Sequence, residues 1–221
     1  MHLQGATVAG GAHERSLRDV RVLEDSNEQL NISEEEALVR LLDRLFQKWR
    51  VHKTRPYLVP GDRVLDIGCS DGILFRSVPG IHGTGVDPTL TESSSIDGVE
   101  LIKGSYPEAV PEGEEFDKLC MLAVFEHIPT NKQSEVATCC FHHLKPNGNL
   151  IITVPSPAVD RILDILTFLH LIDGIETHQH YKFKPSKVPI LFGNVGLELV
   201  ERKKFQVGLN NMFVFRKPIE V

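Results

Sequence analysis

The sequence predicts an α/β three-layer sandwich: a mostly parallel seven-stranded sheet, its last strand antiparallel, between two layers of helices. Three observations predict it. From Gly61 onward, short apolar runs alternate with helical or turn-rich segments, the pattern of a parallel sheet covered on both faces. The glycine-containing loop Gly68-Cys69-Ser70-Asp71-Gly72 directly follows the first of those runs. The last two runs are joined too closely for a crossover helix, so they form a hairpin and the final strand reverses direction.

In chain order, residues 1–32 are expected to form a flexible N-terminal segment, beginning with a small, Gly-rich, unpatterned stretch. Ser33 and Glu36 give a capping-box signal. Ala37, Leu38, Leu41, Leu42, Leu45, Phe46 and Trp49 then recur at helical spacing. A helical cover is therefore expected over 33–59, packing that stripe on a main domain of 60–221. Strands are expected at 63–67, 83–86, 99–103, 116–122, 150–154, 197–205 and 212–216. Helices are expected from the glycine loop to about Val78, from about Asn131 to Leu144, and over 185–194. Lys145-Pro146-Asn147-Gly148 reads as a turn. The apolar run Ile162–Ile172 is expected to be an inserted lid helix, at about 158–174, with Leu163, Leu166, Phe168 and Leu171 toward a pocket. Packing on the sheet or a homodimer contact are the alternatives for that run.

Composition bounds the function. The 221 residues are 41% hydrophobic and 24% charged, as in a globular domain large enough to bury its own core. A net charge of −6 without any Lys/Arg block argues against a nucleic-acid partner, whose phosphates need a basic surface. Cys69, Cys120, Cys139 and Cys140 lack metal-binding spacing and suit a reducing cytoplasm. No signal peptide is recognisable. Ile162–Ile172, broken by Asp164 and His170, falls far short of the ~20 residues that span a bilayer.

Ligands of an open α/β sheet bind beyond the carboxyl ends of the strands. That edge carries Asp66, the loop Gly68–Gly72, Asp87 and the segment after Leu122. Asp66 ends an otherwise apolar strand, where a buried carboxylate needs a partner, and a cationic ligand supplies one. Asp87, at the end of the second strand, suits acceptance of two ribose hydroxyls; taken alone it also reads as an Asp-Pro turn. A nicotinamide dehydrogenase would use the same sheet, but its G-x-G-x-x-G fingerprint is absent from this loop.

Four stretches in this order resemble the Rossmann-like S-adenosylmethionine (SAM)-dependent methyltransferases, in particular the branch of the ubiquinone-biosynthesis O-methyltransferases. They are VLDIGCSDG at Val64–Gly72, VDP at Val86–Pro88, FDKLCMLAVFEHIP at Phe116–Pro129 and LKPNGNLIITVP at Leu144–Pro155. ETHQHYKFKP at Glu176–Pro185, followed by VGLELVERKKF at Val195–Phe205, is a fainter fifth. The resemblance implies that Asp66 and the loop residues Gly68, Cys69, Ser70 and Gly72 hold the methionine part of SAM. It implies that Asp87 binds the ribose, that Pro88 lies beside the adenine with Ser105 and Tyr106, and that Leu122 and Ala123 line the reacting end. Two departures stand out: Ser70 replaces a usual third glycine, and Gly104-Ser105-Tyr106 lacks the acid that usually meets the adenine amino group. An ionised acceptor bonds more strongly than a hydroxyl, so weaker SAM binding than is typical is expected.

The implied reaction transfers a methyl group to a small-molecule acceptor, most simply on oxygen, and releases S-adenosylhomocysteine (SAH). A general base is required only where the acceptor must lose a proton, and none is assigned from the sequence. His127, His178, His180 and Tyr181 are expected on the substrate side. A metal site at His178 and His180 would need a third ligand, and no acid at fitting spacing is evident beyond Glu176, so no metal is expected. A SAM-sensing or scaffold protein with the same fold is the non-enzymatic alternative, kept open by Ser70 and the missing adenine acid.

Overall fold

Arg63–Ile67 is buried along nearly its whole length, which a central parallel strand covered on both faces requires. This is β1 in the computed structural model, which describes residues 41, 44–156 and 184–219. The chain divides into two compact units, residues 1–46 and 47–221, and the sheet belongs to the second. The flanking strands are β2 (His82–Asp87), β3 (Ser94–Ile96), β4 (Val99–Lys103), β5 (Phe116–Leu122), β6 (Leu144–Pro155), β7 (Glu198–Phe205) and β8 (Asn210–Arg216). Their order is β3-β4-β2-β1-β5-β6-β8-β7. β4, β2, β1, β5 and β6 pair in parallel, and β8 runs antiparallel to both β6 and β7, as the hairpin predicted.

Two layers cover the sheet. Residues 44–54 are helical (α1), and within the second unit Val51 joins Leu74 of α2 (Ile73–Ser77), Val64, Cys120, Ile151 and Met212 in one apolar cluster. The opposite face packs Leu65, Met121, Ile152 and Phe213 against Val136 and Cys140 of α3 (Gln133–His143) and Val188 and Phe192 of α4 (Val188–Asn194). Strand alternation sends neighbouring residues to opposite layers, which explains why fully apolar strands form here.

The structure corrects several expectations. Among the described residues the sheet has eight strands, not seven, because β3 adds antiparallel to β4 at the edge. Its turn is Asp97-Gly98, both at positive φ (53° and 78°), an Asp-Gly hairpin signal that the polar segment around it obscures. β6 begins at Leu144, so the expected turn at 145–148 is a bulge between Phe116↔Leu144 and Lys118↔Asn149. Asn210 and Asn211 belong to β8, and residues 206–209 make the hairpin turn. Trp49, the last of the predicted apolar stripe, is 43% exposed, whereas Val51 is buried. The capping box and the lid segment lie outside the described residues.

Candidate functional site

The carboxyl ends of β1, β2, β4 and β5 converge around the loop that leaves β1. Gly68 has φ 77°, and a Cβ there would lie 2.2 Å from Val124 Cγ2, so only glycine lets the loop turn against the segment leaving β5. Its N–H donates to Val86 O at 2.8 Å. Ser70 also adopts the left-handed region (φ 51°), the conformation for which a glycine is usual, and its N–H donates to Asp87 Oδ2 at 2.8 Å. The other oxygen of Asp87 accepts the N–H of Thr89 at 2.8 Å and its hydroxyl at 2.6 Å. The Asp87 carboxylate is thus fixed by three donors and keeps lone-pair capacity for ligand hydroxyls.

Asp66 is different. It is buried at the end of β1, and among the described residues no donor reaches its carboxylate. Loss of hydration, with the neighbouring Asp87 charge adding to it, raises its pKa to about 8. It lines a small cleft of about 20 Å³ with Gln47, Arg50, Gly68, Cys69 and Leu122. Burial pushes the Cys69 thiol up to about 12, so it is an un-ionised wall of this cleft, not a nucleophile.

A larger cavity of about 310 Å³ opens on the other side of Gly68. Ile67, Val86, Pro88 and Val124 give it apolar walls, and Ser105, Tyr106, Glu108, His127 and Lys132 bring polar groups to it. The Tyr106 hydroxyl donates to His143 Nδ1 at 2.9 Å, and His143 Nε2–H meets Pro111 O at 3.3 Å. That bonding pattern fixes the neutral tautomer, consistent with desolvation holding the His143 pKa below its ordinary value. His143 is buried and orients the cavity's tyrosine.

The sequence-predicted residues fall into distinct places. Asp66, Gly68, Cys69 and Leu122 line the small cleft, while Gly68, Pro88, Ser105, Tyr106 and His127 line the larger cavity. Ser70, Gly72 and Asp87 frame the loop between them, Gly72 at φ 78°. Ala123 leaves β5 at φ 60° and donates its N–H to Thr153 O at 2.8 Å, tying β5 to β6. His178, His180 and Tyr181 lie outside the described residues. Sequence reasoning passed over Arg50 and Glu126. Glu126 is buried after β5, burial raises its pKa to about 7, and the charge of Arg50 opposes that rise. An acid beside an aromatic in a short apolar run was the available signal.

The profile of the methyltransferase domain family matches residues 32–202. The ubiquinone biosynthesis O-methyltransferase of Xylella fastidiosa (strain M23) is 27% identical over 160 residues, covering 63% of this chain and 62% of that protein. The chain therefore matches about three fifths of the length of that relative. Among solved structures, the cyclopropane synthase MmaA2 from Mycobacterium tuberculosis superposes with a TM-score of 0.58 at 16% identity, covering 77% of this chain and 84% of that one. The 1,6-didemethyltoxoflavin-N1-methyltransferase of Burkholderia thailandensis gives a TM-score of 0.57 at 14% identity, covering 98% and 94%. These two likenesses establish the fold.

Proposed function

The chain belongs to the methyltransferase domain family, with the Rossmann-like fold of the SAM-dependent enzymes, and from that premise we propose that it methylates a small-molecule acceptor on oxygen. The observation that carries the reading is Asp66, a buried carboxylate that no donor among the described residues reaches, beside a preformed loop and cleft. A buried acid of this kind demands a cation, and the methionine ammonium of SAM is one. Arg50 and Gln47, in the same cleft, suit the carboxylate end of the same moiety. Asp87 would accept the ribose hydroxyls, and the apolar walls at Val86 and Pro88 would hold the adenine with Ser105 and Tyr106.

When bound, SAM supplies an electrophilic methyl group. The chain's own work is to orient the acceptor and exclude water. Leu122 and Ala123, at the end of β5, lie at the reacting end in this reading, and His127 meets the acceptor from the larger cavity. Oxygen as the methylated atom is supported by the O-methyltransferase names of the sequence relatives. A cytoplasmic setting is supported by four free cysteines. Among the described residues no helix is long and apolar enough to cross a membrane.

Labelled SAM incubated with the full chain and a small-molecule cell extract tests the proposal. Label transferred to an extractable small molecule is the expected result. SAM binding without any transfer would favour the sensor reading instead, for which Ser70 and Ser105 are the sequence grounds.

A further inference from the structure

Among the described residues, the buried polar atoms that lack a partner include Glu126 Oε2, Thr153 Oγ1, Gln206 Nε2 and Asn210 Oδ1. None of these side chains is more than 4% exposed. Buried groups are nearly always hydrogen-bonded, so each exception calls for an explanation. These four share a location. Thr153 lies two residues beyond Ile151 on β6, and Asn210 two residues before Met212 on β8. Strand alternation therefore puts both on the face that carries Cys120, Ile151 and Met212, the face of α1. The register Thr153↔Met212 and Pro155↔Asn210 makes them diagonal neighbours. Gln206 follows the end of β7, where Phe205 pairs with Asn210. Glu126 follows β5 and senses the charge of Arg50, which lines the Asp66 cleft.

The group thus gathers at the carboxyl ends of β5 and β6 and at the β7–β8 turn, on the Asp66 side of the sheet. Gln206 and Asn210 bond each other, Asn210 Nδ2 donating to Gln206 Oε1. Whichever way the two amides are turned, that single bond leaves one donor and one acceptor between them. The turn that holds them is itself strained, with Gln206 at φ 52° and Val207, a β-branched residue, at φ 56°. Positive φ at both positions is the type I′ geometry of a tight hairpin turn, closed by the Gly208 N–H donating to Phe205 O at 3.1 Å.

We propose that these residues form the acceptor-recognition site, and that the acceptor presents an amide-like edge, with a hydrogen-bond acceptor and donor side by side, as in a carboxamide, lactam or ureide. The inference rests on the methyltransferase reading and narrows its substrate class. Gln206 Nε2 donates to the carbonyl of such an edge, and Asn210 Oδ1 accepts its N–H. Thr153 and Glu126 bond polar groups nearer to the reacting end.

The test uses the full chain loaded with SAH and probes of one size: uracil, 2-pyridone and nicotinamide against phenol and toluene, titrated by chemical-shift perturbation or calorimetry. The amide-edge probes are expected to bind at least tenfold more tightly than toluene. Gln206→Leu and Asn210→Leu are expected to remove that preference, and Thr153→Val to weaken it several-fold, while SAH affinity stays within about twofold and thereby reports folding. The melting temperature of Thr153→Val should hold or rise, because it removes an unpaired buried polar group, whereas each leucine variant breaks the Asn210–Gln206 bond and should lower it. Gln206→Glu and Asn210→Asp keep the shape while changing the hydrogen-bonding pattern, and should also lose the amide probes. Equal binding of toluene and uracil, or amide binding indifferent to these substitutions, overturns the inference. So does a lowered melting temperature of Thr153→Val without probe binding in the wild type, the signature of a buried-water network. If the wild-type chain takes up no SAH, the methyltransferase reading itself falls. SAH uptake without amide preference overturns the acceptor inference alone.

Discussion

The two halves of the sheet edge treat their polar groups in opposite ways. At the β2 end, Asp87 is held by the Ser70 N–H and by both donors of Thr89, and Tyr106 is held by His143. At the β6–β8 end, Thr153, Gln206 and Asn210 each keep a buried atom without a partner among the described residues. Asp66 lies on the boundary between them, in the central strand, and among the described residues no donor reaches it. The difference teaches which surface the chain completes by itself and which it leaves for a ligand. A nucleoside-like ligand meets a framework already built by internal hydrogen bonds. The cationic end and the acceptor meet groups whose burial is compensated only on binding.

The sharpest way to break this comparison is pH. Asp66 titrates at about 8 in the fold instead of near 3.8. Between those values the folded chain keeps a proton that the unfolded chain has released. Its contribution to apo stability is therefore full below about pH 4 and is lost as pH rises toward 8, by roughly 3–5 kcal/mol. Glu126, at about 7, adds a loss of the same sign. Urea melts across this range should show the decline, and Asp66→Asn should flatten it while lowering SAH affinity.

Asp87→Ala attacks the prebuilt half. It removes the acceptor of the Ser70 N–H together with the ribose partner, and titration should show SAH affinity reduced by ~100-fold. Gly68→Ala drives a Cβ into Val124 at positive φ, and chemical denaturation should show a loss of about 2 kcal/mol. Tyr106→Phe leaves His143 Nδ1 without its donor and should cost about 1 kcal/mol by the same measurement, with SAH binding weakened only a few-fold. Ser70→Gly is the smallest change and has the opposite sign: relieving φ 51° should stabilise the loop by roughly 0.5 kcal/mol and tighten SAH binding slightly.

Much of this architecture is legible in the sequence where one residue's surroundings decide its role. β1, β4 and β5 begin and end where their apolar runs do, and the hairpin fixes the direction of β8 because its connection is too short for anything else. Asp66 and Asp87 stand out because acids at the ends of apolar strands need a reason. What stayed hidden depends on partners far along the chain. His143 meets Tyr106 across 37 positions, and nothing local marks that pairing. Asn210 looked like a turn residue because Asn favours turns, yet sheet pairing with Pro155 and Phe205 draws it into β8 and buries it. β3 is three residues with little apolar character, held mainly by its ladder to β4. Ser70 shows the reverse case: it was visible as a departure from glycine, and the structure supplies its consequence, an L-residue in a left-handed turn that still delivers its N–H to Asp87.

The central claim is that this edge binds SAM through Asp66 and Asp87. Calorimetric titration of SAH into the wild-type chain at pH 8, repeated with Asp87→Ala, tests it most directly. The account predicts one site of micromolar affinity in the wild type and binding weaker by ~100-fold in the variant. Absence of SAH binding in the wild type, or binding unaffected by Asp87→Ala, would contradict it.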